Sequence, residues 1–364
     1  MFEDSPAVAS PLVLSNHTSI NNTLRSILDD LTQNPQLVVG FDSEWNVDLT
    51  AHGRLLNKGP PAVVQIAYKE NIYILQIGEM LQRKALPEQL LNFLREPKVV
   101  KAGCRVNGDL WQLAAACGLP PDSFPGALDL ACFAKDRYLV TRANMSLVDL
   151  VANILGQCLP KLDGERISNN WSDAELSAAQ ITYAARDAYA SLKLYTEISK
   201  HSLPTNMTDN TTPGTSVLLL TDDNKKLAAR GVISAAALEE KFHGINLTRT
   251  RTVVTVQEIL IPGAIIGKND RNKPLKDLGS VPFDVLAHQS HVRVVNGAYN
   301  LPQIGILSSV SPAQLSKPSS EQVEDQPDSN LSSLADDLAA LDEGDSSFEE
   351  SESTVPATQT ESQH

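Results

Sequence analysis

Apolar and polar positions along the chain follow two periods, and the elements they predict come in a definite order. Leu37-Val38-Val39-Gly40-Phe41 is an apolar run bounded by polar residues, the pattern of a strand enclosed in a core. It ends in Asp42-Ser43-Glu44-Trp45. Before it, Leu12-Val13-Leu14 reads as a short strand. Ile20, Leu24, Ile27, Leu28 and Leu31 then recur at helical spacing until Asn34-Pro35 breaks the pattern. His52 to Pro61 is polar with Gly and Pro and predicts a loop. Ala62–Tyr68 and Ile72–Leu75 predict a hairpin turning at Lys69-Glu70-Asn71.

The second half of this region alternates strands with helices. Leu86–Leu94 is an amphipathic helix, and Lys98–Gly103 is a short strand ending in glycine. Asn107-Gly108-Asp109 leads into a helix over Leu110–Cys117. A strand-to-helix passage follows around Asp129, then a helix over Ser146–Leu155 with Gly156 as its cap. Ser172-Asp173-Ala174-Glu175 has the spacing of a capping box at a helix start. Ala178–Ser199 reads as a long helix with Ile181, Ala184, Ala185, Ala188, Leu192 and Tyr195 on its apolar positions. Strands followed by helices in this order imply an α/β or α+β domain.

The pattern divides the chain into a flexible N-terminus (1–9), this domain (10–201), a Thr/Asn/Asp-rich linker (202–215), a β-rich module (216–308) and a disordered acidic tail (309–364). The module's strand candidates are Val217–Leu220, Thr252–Val256, Ile265-Ile266 and Val292–Val295. Leu331, Leu334, Leu338 and Leu341 recur at helical spacing inside the tail. That spacing fits a short acidic helix folding on a protein partner, although a solvated tail is the simpler expectation. Ile261 to Asp270 faintly resembles the nucleotide-clamping loop of KH domains, with Asp270 where a second glycine belongs.

Charge changes the picture of partners. The net charge is −14, but Ser319 to His364 holds thirteen acids and no Lys or Arg, so the rest of the chain stands near −1. A nearly neutral body does not argue against a nucleic-acid partner. No apolar run reaches the length of a membrane helix, so no membrane role is expected, and the opening residues lack the basic and apolar stretches of a signal peptide. Cys104, Cys117, Cys132 and Cys158 form no Cys-x-x-Cys pair and suggest buried free thiols in a reducing compartment.

The candidate chemistry lies in the acids. Asp42 and Glu44 are two apart on a strand and therefore project from one face. Two carboxylates held side by side repel each other unless a cation lies between them, and Mg²⁺ and Mn²⁺ prefer such oxygen ligands. Asp109 stands at a helix start, where an acid can also serve as a simple helix terminus residue. Asp187 lies mid-helix among alanines, where it has no capping use, and Tyr183 is one turn before it on the same face. Four acids and a tyrosine in this order fit a two-metal site for phosphodiester cleavage, with ions about 4 Å apart and a tyrosine hydroxyl placing the water.

Phe41-Asp42-Ser43-Glu44-Trp45, the Asp109 segment and Tyr183-x-x-x-Asp187 resemble the three motifs of the DEDDy 3′–5′ exonucleases, members of the ribonuclease-H-like superfamily. Val64-Gln65-Ile66-Ala67, Lys101-Ala102-Gly103, Ser168-Asn169-Asn170-Trp171 and the stretch Gln180–Ala190 support it. The likeness is strongest to Werner-type exonuclease domains, with RNase D more distant, and covers about residues 10–200. It implies a ribonuclease-H-like mixed sheet flanked by helices and a metal-dependent 3′–5′ exonuclease using two Mg²⁺ or Mn²⁺ ions. Carried over by position, Asp42, Glu44 and Asp187 bind the first ion, Asp42 and a water on Asp109 hold the second, and Tyr183 orients the nucleophilic water. The Tyr-type assignment rests on Thr182, where the related subgroup has histidine.

Nucleic acid with a single-stranded or recessed 3′ end is the implied partner, DNA over RNA by resemblance alone. Trp45 is a base-stacking candidate or a core tryptophan in equal measure. Lys161 and Arg186 lead the candidate phosphate contacts, with Arg54, Lys58 and Arg166 behind them. Nuclear placement is likewise implied by resemblance, with the cytoplasm as alternative. Two other readings compete: a catalytically silent nucleic-acid-binding or scaffold protein on the same fold, and an interaction adaptor working through its tail and β module.

Overall fold

In the computed structural model, residues 10–50, 52, 55–160, 168–208, 210–221, 223, 226–266 and 273–295 are described. Lys161, Arg54, Arg166, the 267–270 part of the Ile261–Asp270 loop, the N-terminal nine residues and the acidic tail lie outside them.

The elements begin as the periodicity predicts. β1 (Leu12–Leu14) leads into α1 (His17–Asp29), whose first turn is closed by Asn16, its side-chain oxygen accepting from Ser19 N at 2.9 Å. β2 (Leu37–Leu49), β3 (Leu55–Tyr68) and β4 (Asn71–Gln76) follow, then α2 (Gly78–Gln82), α3 (Glu88–Arg95), β5 (Val99–Gly103), α4 (Val106–Ala116), β6 (Ala127–Asp129), α5 (Leu130–Asp136) and α6 (Leu147–Leu150). α6 runs on as a π-turn through Val151–Leu155 to Gly156, which caps it at φ 64°. α7 (Ala178–Ile198) closes the region.

The sheet order is β1-β4-β3-β2-β5-β6. β1 runs parallel to β4, β3 antiparallel to β4, and β2, β5 and β6 are mutually parallel neighbours. This is the mixed sheet flanked by helices that the resemblance implied. Alternation along β2 assigns its two faces. Leu37, Val39 and Phe41 join the core built with α1, α3 and α4, while Val38 packs toward the core of α5, α6 and α7.

Several expectations need correction. Leu55–Pro61 is strand, not loop: proline's fixed φ is compatible with an extended backbone, and composition alone hid the strand. The helix after β5 begins at Val106, so Gly108 and Asp109 lie inside its first turn. The capping box belongs to Ser177 and Gln180, five residues beyond Ser172, because the alanine run that can hold a helix starts only there. Cys132 and Cys158 are exposed; all four cysteines are free.

After α7 the chain turns to antiparallel strands: β7 (Thr205–Asn206), β8 (Ser216–Leu220), β9 (Leu227–Ile233), β10 (Lys241–Phe242), β11 (Ile245–Asn246), β12 (Arg251–Ile259), β13 (Phe283–His288) and β14 (Val292–Val294). Six of them form one sheet, ordered β13-β12-β9-β8-β14-β7. The supposed linker thus contributes an edge strand, β7, paired with β14. Ile265-Ile266 is not a strand; Ile266 is instead a buried plug under the sheet. Arg230-Gly231 interrupts the apolar run of β9 and masks its strand pattern; a Cβ on Gly231 would lie 2.1 Å from the Thr255 carbonyl oxygen. Leu218, Leu220, Leu227 and Val295 pack with Tyr138, at the end of α5, and Arg137 Nε donates to the His201 carbonyl at 2.8 Å. Val47–Gly59 belongs to a second compact unit, in which the Asn57 amide donates to Asp48 at 3.5 Å.

Two positions carry more of this fold than their size suggests. At Gly40 a Cβ would stand 2.0 Å from the Ala188 carbonyl oxygen, so α7 lies with its backbone directly on β2. Lys101 is fully buried (0% exposed) and donates to the carbonyls of Leu94 (2.9 Å), Glu96 (3.2 Å) and Pro125 (2.8 Å), closing the end of α3. Burial pushes its amine down to about 7, with the charge of Glu96 opposing.

Gly40→Ala is expected to destabilise the protein by about 3 kcal/mol or more, read as a lower midpoint in urea. Lys101→Met leaves three carbonyls without their donor and should cost about 3 kcal/mol. Lys101 has a folded pKa of about 7 against its ordinary 10.5. Between those values the unfolded chain binds the extra proton, so this group's contribution makes stability rise with pH across that window. Lys101→Met should flatten that rise in urea titrations at successive pH values.

Candidate active site

β2 delivers the first two acids. Gly40 faces α7, and strand alternation puts Asp42 and Glu44 on that same face, two and four residues on. α7 supplies the third. Ala184, Ala185 and Ala188 are buried against the sheet, and Asp187 precedes the alanine that meets Gly40. Carboxylate oxygens of Asp42, Glu44 and Asp187 all lie within 4.8 Å of one another. Glu44 is 6% exposed, so this negative charge is held partly out of water. Three converging carboxylates are the donor set of a hard divalent cation, and the residues present fit one.

Asp109 arrives from the other side. Asp109 is 6% exposed, and its carboxylate accepts from the Ser43 hydroxyl at 2.7 Å. Ser43 lies between the two metal-binding candidates, on the opposite face of the strand. The path to Asp109 is built by Asp129 at the end of β6. Asp129 accepts from Arg105 N at 2.8 Å and from Cys132 N at 2.9 Å, capping α5 while holding Arg105 in the left-handed conformation (φ 58°) that starts α4. Gly103 makes the crossing tight, since a Cβ there would stand 2.5 Å from the Phe41 carbonyl oxygen. Cys104 sits nearby, its thiol donating to the Met145 carbonyl at 3.2 Å. Burial, then the charges of Asp129, Asp42 and Asp109, push that thiol up, so it stays protonated beside the acids.

Tyr183 is one turn before Asp187, half-buried, with its ring tilted against Trp171 at 6.2 Å between centroids. Trp45 is half-buried at the end of the acidic segment, and Arg186 is half-buried beside Asp187. Lys161 falls outside the described residues. Sequence reasoning passed over Ser43, Gly40 and Asn46. Ser43 could have been found from alternation, as a polar residue on the core-facing side of a buried strand.

Residues 17–202 match the family model described as 3′–5′ exonuclease, a little over half the chain and the whole of the first sheet apart from β1. The chain belongs to the 3′–5′ exonuclease family. Among relatives, it is 33% identical over 162 residues to the bifunctional 3′–5′ exonuclease/ATP-dependent helicase WRN of Mus musculus, covering 44% of this chain and 11% of that protein. It is 30% identical over 179 residues to the human exonuclease 3′–5′ domain-containing protein 2, covering 48% of this chain and 26% of that one. The match therefore spans about a quarter or less of these relatives' lengths. Among solved structures it is similar to Trypanosoma brucei RNase D, at 17% identity over 53% of this chain and 66% of that one, with a TM-score of 0.41.

Mn²⁺ should raise the melting temperature of the protein. At a hundredfold excess over Kd the ion adds about 2.7 kcal/mol. Asp42→Asn or Asp187→Asn should abolish the shift in differential scanning fluorimetry.

Proposed function

We propose that this chain hydrolyses phosphodiester bonds at the 3′ ends of nucleic acid, releasing nucleotides stepwise. The observation that carries the reading is the convergence of Asp42, Glu44 and Asp187 from a strand and a helix far apart in sequence. That convergence has no use in packing, because a partly buried group of three carboxylates opposes folding unless cations offset it.

Asp42, Glu44 and Asp187 would hold one divalent ion, and family likeness adds a second on Asp42 and on a water held by Asp109, Mg²⁺ or Mn²⁺ in either place. Bound there, such ions supply charge neutralisation at the phosphate and lower the pKa of water. The chain's own groups do the rest. The Ser43 hydroxyl fixes the Asp109 carboxylate against rotation, since the donor is itself anchored on β2. Tyr183, beside the acids on α7, orients the attacking water through its hydroxyl. Trp45 stacks on the terminal base and Arg186 meets a phosphate, each from a half-buried position that leaves part of the side chain accessible. DNA is favoured over RNA by family likeness alone, and the nucleus is the compartment that likeness suggests.

The test is incubation of labelled single strands and recessed duplexes, as DNA and as RNA, with each metal. Wild type should give a ladder of shortened products from the 3′ end. Asp187→Ala should reduce kcat by about a thousandfold or more while substrate binding by anisotropy changes little. A wild type that shortens none of these substrates with either metal would end the reading.

A further inference from the structure

Trp171 is 1% exposed, yet it stands in an irregular segment packed on β3, β4 and α7 rather than in a helix or strand. Three side chains from three different elements hold that segment. Asn46 of β2, two residues beyond Glu44, accepts from Ser172 N at 3.1 Å through Oδ1. Gln76, at the end of β4, donates through Nε2 to the carbonyls of Asp173 (3.0 Å) and Ala174 (3.2 Å). Gln180, in the first turn of α7, accepts from Ser177 N at 2.9 Å and donates to Asn170 Oδ1 at 3.1 Å. Trp171 lies between these anchors, in the same apolar cluster as Ala184, Ala185 and Ala188, and its indole is tilted against the Tyr183 ring.

We infer that Trp171 is a positioning residue for Tyr183, and that Asn46 sets Trp171. This rests on the exonuclease reading, in which the Tyr183 hydroxyl orients the water. A tyrosine hydroxyl is the far end of a long lever with two rotatable bonds, so a small change in ring tilt moves the oxygen by a large fraction of an ångström. The indole forms a rigid wall on one side of that lever. Asn46 connects the wall to the strand that carries Asp42 and Glu44. The hydroxyl is therefore referenced to the acids through Asn46, Ser172 and Trp171, and not only through the turn of α7 that separates Tyr183 from Asp187. A buried tryptophan serving only as filler would not need its neighbours bonded to β2, β4 and α7 at once.

The experiment combines kinetics with the ring itself. Trp171→Phe and Asn46→Ala should each lower kcat, on the order of 10- to 100-fold for a misplacement of this kind, with KM within about twofold of wild type. In a Tyr183→Phe background neither substitution should lower kcat further, because the group they act through has gone. Asn46→Ala removes an amide from a half-buried site and keeps both rings, so it covers the case in which Trp171→Phe does not fold. With ¹³C-labelled tyrosine, the Tyr183 ring signal, assigned by its loss in Tyr183→Phe, should move in Asn46→Ala. Equal losses of kcat in the presence and absence of the Tyr183 hydroxyl, or an unmoved Tyr183 signal, would overturn the inference. If wild type cleaves nothing, the exonuclease reading falls, and the ring signal alone decides whether Asn46 and Trp171 set Tyr183.

Discussion

Among the described residues, the tightest constraint is the contact of two backbones. With 2.0 Å between a would-be Cβ at Gly40 and the Ala188 carbonyl oxygen, there is no room for any side chain between β2 and α7. The approach requires glycine on the strand and a surface of Ala184, Ala185 and Ala188 on the helix. Its consequence is chemical. Asp187 precedes the touching residue of the helix, and Asp42 follows the touching residue of the strand by two. A pair of larger residues at this crossing would move α7 outward by more than an ångström, and carboxylate oxygens now within 4.8 Å would no longer converge on one ion.

The same strand serves both faces. Asp42 and Glu44 look toward α7, and Ser43 between them looks toward α4, where its hydroxyl meets Asp109. Asp109 is held there by local devices of a different kind: a left-handed Arg105, a tight glycine at position 103, and Asp129 bonded to the starts of two helices at once. One acid is thus set by close packing and another by a chain of hydrogen bonds. The first tolerates almost no change in side-chain volume. The second tolerates volume but depends on donors and acceptors remaining in place.

Most of the sheet and the helices were legible because their apolar positions repeat at 2 or 3.6 residues, as in β5, α1 and α7. The acids were legible for the same reason: spacing of two on a strand puts Asp42 and Glu44 together whatever the rest of the chain does. Reading failed where two signals of equal local quality compete. Ser172-x-x-Glu175 and Ser177-x-x-Gln180 are both capping boxes on paper, and only the alanine run beyond the second decides between them. β9 was lost because an arginine and a glycine sit where two neighbouring strands come together. Ser43 and Asn46 carry no motif of their own. Their roles come from partners 66 and 126 residues away, a separation that no local pattern encodes.

The alanine-rich face of α7 has a cost that bears on function. Small side chains bury little apolar area, so this helix gains less from packing than a leucine-faced one of the same length. It also carries an acid mid-helix against two others, which opposes the docking of α7 on β2. Sequence selected for stability alone would place larger apolar residues at the crossing and remove Asp187. What the close approach gains is proximity: carboxylates on two separate elements become a single ligand set without any long, mobile side chain between them. A divalent ion bound there would offset the repulsion and join α7 to β2, so that metal binding and the docking of this helix are one equilibrium.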